Sequence, residues 1–82
     1  MLSSRQQNIV LDGIEKHLTY DATVVTRNRK PMRPNPVASW ELRMGDLRIY
    51  YDVEEEKRLV YVLAIGIKIR NQVRIGKEVF IL

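Results

Sequence analysis

The sequence of 82 residues contains no cysteine and a single histidine, His17. Without thiolates there is no disulfide and no cysteine-type zinc site, and one histidine with no recognisable carboxylate spacing around it gives little support to any other transition-metal site. We expect no metal and no cofactor. No apolar run is long enough to span a bilayer and the start does not resemble a signal peptide, so a soluble, cytoplasmic protein with no membrane partner is expected. Internal repeats and low-complexity tracts are absent. At this length the expectation is a single domain over residues 1–82 with a modest core.

Acid is also missing locally. The formal net charge is +4 and the isoelectric point is near 9.7, which fits a nucleic-acid partner, but the distribution is more informative than the total. Between Asp21 and Glu41 lie Arg27, Arg29, Lys30 and Arg33 with no acid among them, and between Glu56 and Glu78 lie Lys57, Arg58, Lys68, Arg70, Arg74 and Lys77. The acids gather in Asp52 to Glu56. Such segregation predicts a basic binding face, with Arg27, Arg29, Lys30, Arg33, Arg70 and Arg74 as candidate nucleic-acid contacts; a solvated surface with chance clustering is the alternative.

What is present is organised around Trp40 to Ile67. Trp40, Leu42 and Met44 alternate with Glu41 and Arg43; Leu47, Ile49, Tyr51 and Val53 then alternate with Arg48, Tyr50 and Asp52, the period-2 pattern of half-buried strands. Gly45-Asp46 is the turn, and a two-residue loop sets Met44 across from Leu47, so that Arg43 faces Arg48 and Glu41 faces Tyr50. Two arginines facing each other repel, so the fold alone has no need of them. Leu59 to Ile67 is apolar at nearly every position, which predicts a central strand buried on both faces. Pairing Val53 with Leu59 then places Arg48 beside Ala64.

The flanks read as follows. Leu2 to Leu18 is an expected helix, with Ser3 or Ser4 as its cap, Gln6 or Gln7 completing a capping box, and Val10, Leu11, Ile14 and Leu18 as its apolar stripe; Gly13 marks either local weakness or a close neighbour. Thr19 to Ser39, with Pro31, Pro34 and Pro36, is expected to be an irregular connection, either a phosphate-contacting segment or a solvated linker. Glu78 to Leu82 is an apolar tail suited to an edge strand or to docking on a partner.

The string RMGDLRIYYDVEEEKRLVYVLAIGIK resembles the RelE/ParE superfamily of bacterial type II toxins, whose members show an R-x-G-D-x-R-[VI]-x-Y core, an acidic hairpin and a V-x-[VI]-L-x-[VI]-G-x-[KR] strand. The preceding NRKPMRPNPVASWELR is similar to the segment leading into the family's second strand. The resemblance implies an α+β fold, an N-terminal helix packed on a small curved antiparallel sheet of three to four strands. It implies a toxin of a toxin-antitoxin system, a ribosome-associated mRNA endonuclease that blocks translation; the alternatives are a non-enzymatic DNA gyrase inhibitor and an inactive toxin that keeps its antitoxin binding. Arg48 matches the sheet arginine at the scissile phosphate, Arg43 sits beside it, and Lys68 matches a second basic position; Glu41 is the candidate base, with a structural salt bridge to Arg43 or Arg48 as the alternative. Expected partners are a cognate antitoxin, the ribosome and mRNA. The chain departs from the family where it carries Ser39 and Glu41 in place of paired lysines, where it lacks a C-terminal tyrosine or histidine, and in opening almost at a helix cap. That opening implies either a truncated start or an exposed sheet edge covered by a self-dimer or an antitoxin segment.

Overall fold

The computed structural model describes residues 2–82. Ser3 caps the single helix α1, Ser4–Leu18, through a capping box in which its hydroxyl accepts from the Gln6 amide and its own amide donates to the Gln6 side chain. Val10 and Leu18 are buried and Ile14 packs beside them, so the apolar stripe faces the sheet as its spacing requires. Leu11, on the flank of that stripe, stays exposed. Gly13 is where the sheet comes close: a Cβ there would stand 3.2 Å from the Met44 side chain.

Six antiparallel strands follow, each paired with the next: β1 Arg29–Pro31, β2 Trp40–Met44, β3 Leu47–Glu54, β4 Leu59–Ile69, β5 Gln72–Ile75 and β6 Glu78–Phe80. The α+β architecture is as expected, but the sheet has six strands where three to four were expected. The additional ones are short. β1 lies inside the connection expected to be irregular, and β5 and β6 each return after two-residue turns, Arg70-Asn71 and Gly76-Lys77. Arg70 and Gly76 take positive φ there, as tight hairpin turns demand.

Gly45-Asp46 sets the β2–β3 register as anticipated, pairing Met44 with Leu47, Arg43 with Arg48 and Glu41 with Tyr50. The next hairpin differs from expectation. Its loop begins one residue later, pairing Glu54 with Leu59, and a bulge then places Tyr50 against Ala64 but Tyr51 against Val62, with Leu63 as the extra residue. The two one-residue shifts add, so Arg48 lies beside Gly66 and not Ala64. Because the total shift is even, it remains on the same face.

The core lies between α1 and one face of β2 and β3: Val10, Leu18, Leu42, Leu47, Ile49 and Tyr51, with Trp40 stacked on Tyr51 at 6.1 Å between centroids. β4 is not buried on both faces as expected, since Tyr61, Val62, Leu63 and Ile69 are all exposed. The reason is width. A helix is about 10–12 Å across and strands stand about 4.8 Å apart, so one helix covers roughly two strands of six.

Candidate functional site

The face of β2 and β3 that points away from the helix carries the charged chemistry. Alternation puts Glu41 and Arg43 of β2, Arg48 and Tyr50 of β3, and Lys68 of β4 on this side, with Lys30 joining through its pairing to Glu41. Arg43 faces Arg48 across the ladder, and Arg48 faces Gly66. Lys68, two residues beyond Gly66, is drawn to the same corner because its amide donates to the Asp46 carbonyl at 2.7 Å. Three cationic positions thus meet beside the β2–β3 turn.

Each arginine has a partner. Arg43 Nε donates to Glu41 Oε1 at 2.6 Å, an i, i+2 ion pair on one strand face. Arg48 Nη1 donates to the carbonyls of Gly45 and Leu47 at 2.6 and 2.9 Å, so its guanidinium folds over the turn. These bonds separate two like charges that the register forces opposite each other. They also leave donors over, both Nη groups on Arg43 and Nε and Nη2 on Arg48, which make no hydrogen bond among the described residues. Lys68 makes no ion pair among them. Glu41, 9 % exposed, accepts nothing at Oε2 among the described residues.

Beside this corner lies a cleft of about 510 Å³ lined by Pro31, Met32, Arg33, Glu41, Arg43 and Leu82 among others. Its far wall is the loop before β2, which Asn35 holds in shape: Oδ1 accepts from the amides of Val37 and Ala38 while Nδ2 donates to the carbonyls of Arg33 and Ala38. The segment 19–39 is therefore well tied down despite its composition. Tyr51 Oη donates to the Ala22 carbonyl, Asn28 bonds the Arg43 backbone in both directions, and the Ser39 amide donates to Asp52.

The remaining candidates scatter. Arg33 lines the cleft, and Lys30 shares the charged face. Arg29 lies on the helix side, where its Nε and Nη1 donate to the carbonyls of Val24 and His17, linking the end of α1 to β1. Arg74 pairs with Ile67 and so also shares the helix side, Arg70 occupies the β4–β5 turn, and Arg27 is exposed beyond β1.

One site residue was not anticipated. Tyr50 is fully buried on the charged face, and its hydroxyl has no hydrogen-bond partner among the described residues. Burial pushes its phenol up to about 12, the Glu41 carboxylate adding to the rise and the Arg48 and Arg43 cations opposing it. An orphan buried hydroxyl costs about 1–3 kcal/mol. Alternation alone placed Tyr50 on this face, but nothing in the sequence marks its hydroxyl as unpaired. Among the described residues no group of three or more metal-ligating side chains occurs, and no helix is long and apolar enough to cross a membrane. No family model, curated protein or solved structure matches the chain.

Proposed function

We propose that the protein is a RelE-like toxin of a bacterial toxin-antitoxin system, a cytoplasmic endoribonuclease that cuts mRNA on the ribosome. The observation that carries this is the corner where Arg43, Arg48 and Lys68 converge with one carboxylate, Glu41, in attendance. Cations fixed on a sheet are suited to a phosphodiester, and they become more valuable as negative charge grows on the phosphoryl oxygens. In the proposed reaction the RNA 2′-oxygen attacks the adjacent phosphorus and the 5′-oxygen of the next nucleotide leaves, giving a 2′,3′-cyclic phosphate and a free 5′-hydroxyl. Glu41 Oε2 takes the 2′ proton, and Lys68 supplies a proton to the leaving oxygen. Arg43 and Arg48 bind the phosphate. An antitoxin with an acidic segment would neutralise the same corner.

A second reading is favoured by the hydrogen bonds of the two arginines. Both are held by their own strand or turn, as in a surface that binds without chemistry, and this supports a gyrase inhibitor or a binding-only toxin. The test is induction in bacterial cells with new mRNA 5′ ends mapped across translated messages, beside Arg48→Ala. Frame-dependent cuts lost in the variant are expected. Growth arrest without cuts moves the assignment to gyrase inhibition, and neither cuts nor arrest moves it to a module that only binds.

A further inference from the structure

Tyr50 and Tyr51 are among the largest fully buried side chains of the molecule, and only one has its hydroxyl satisfied. Buried polar atoms in folded proteins are nearly always paired, so an orphan calls for a specific account. The charged groups acting on the Tyr50 phenol are Glu41, Arg48 and Arg43. The two arginines each have N–H groups to spare, and the side chain of Arg43, though paired with Glu41, is 45 % exposed. The phenol and the guanidiniums offer donors, and Glu41, the acceptor among them, is paired with Arg43 and does not take the phenol's hydrogen bond, so a multi-oxygen anion would supply the acceptor that the hydroxyl lacks.

We propose that Tyr50 is a phosphate-binding residue, its hydroxyl donating to a phosphodiester oxygen that the spare N–H groups of Arg43 and Arg48 hold from the other side. Arg43 moves aside to admit the anion, and the hydroxyl gains its partner only in the complex. Its phenol stays protonated throughout the neutral range, so it acts as a donor and not as a base. This inference rests on the nuclease proposal only for the identity of the phosphodiester as RNA. It adds to that proposal a contact two residues beyond Arg48 on the same strand face, contributed by a residue that the family resemblance does not mark.

The experiment compares the full chain with Tyr50→Phe, which keeps the ring and removes the oxygen. One readout is thermal stability. The other is affinity for a trinucleotide carrying 2′-deoxy sugars at its first two positions, which binds without being cut, with inorganic phosphate as competitor. The expected result is a variant at least as stable as the parent that binds the trinucleotide and inorganic phosphate about tenfold more weakly, as loss of one hydrogen bond to a charged group implies. Equal stability with unchanged affinity overturns the proposal. Clear destabilisation overturns it too, since the hydroxyl then has a structural partner such as a buried water. A loss confined to the trinucleotide, with phosphate binding intact, assigns the contact to base or sugar and overturns the phosphate assignment. If binding weakens as expected while mapped cuts are absent from cells, the anion site stands and the nuclease proposal fails.

Discussion

Tyr50 and Tyr51 are neighbours in sequence, equally buried, and both phenols are pushed up to about 12 chiefly by burial. They point to opposite faces of β3 and differ in one hydrogen bond. Tyr51 looks toward the helix, stacks on Trp40 and donates at 2.6 Å to Ala22, 29 residues away in the chain. Tyr50 looks toward the charged corner and donates to nothing among the described residues. The helix face is therefore built to closure, with Arg29 likewise placing two donors on carbonyls. The other face keeps spare donors, a carboxylate oxygen without a partner and an orphan hydroxyl. Two residues with the same chemistry thus separate what the fold requires from what it leaves available for a ligand.

On the charged side β4 and β5 approach closely at Gly66, and Gly66→Ala tests that approach. A Cβ at Gly66 would come within 2.6 Å of a Val73 methyl and 3.0 Å of the Arg74 carbonyl oxygen. Val73 is buried and β-branched, so its methyl has little room to turn away, and the carbonyl belongs to the β4–β5 ladder. We expect a loss of about 1–3 kcal/mol, toward the upper end because backbone must move, read from the midpoint of urea unfolding. An unchanged midpoint would mean that β5 adjusts freely to the added methyl.

Tyr51→Phe is the control for the hydroxyl comparison. It leaves the Ala22 carbonyl buried without its donor, so a loss of about 1–2 kcal/mol is expected by thermal or urea melting. Tyr50→Phe should show no such loss. If the two variants lose stability equally, the faces do not differ in the way their hydrogen bonds imply.

Much of this was readable from sequence, and the limits have physical causes. Strict alternation and the Gly45-Asp46 turn fixed the β2–β3 register, and hence the meeting of Arg43 with Arg48, because a two-residue loop leaves no freedom. The β3–β4 register was not readable. The charged loop gives no single closing pair, and the bulge at Leu63 has no glycine to announce it. β1 and β5 are three and four residues long, too short for a period to emerge, whereas β6 lies at the sheet's edge within the Glu78 to Leu82 tail whose apolar content suited an edge strand. The apolar run of β4 suggested burial on both sides, but pattern cannot count how many strands one helix covers. Arg29 had the same composition signal as Lys30, and only parity along a strand whose existence was not foreseen separates a helix-side residue from one on the charged face.

The smallest effect belongs to His17, on the closed side of the molecule. Its imidazole is pushed below its ordinary value, first by partial burial and then by the Lys16 and Arg29 cations. Arg29 is there to bond the His17 carbonyl, so the same guanidinium that secures the end of α1 discourages a charge on the ring. Opposing this, a protonated histidine in the last turn gains from the helix dipole, which keeps the net effect small. The sign follows from linkage: near pH 6.5 the unfolded chain holds more protons at this site than the folded one, so stability rises with pH. The contribution is fully present above the unfolded value and is lost as pH falls from 6.5 through the lower folded value. Melting temperature measured from pH 7.5 to 5.5 should therefore fall slightly, and His17→Gln should flatten that slope. A variant that melts with the same slope would assign the pH dependence to groups outside the α1–β1 junction.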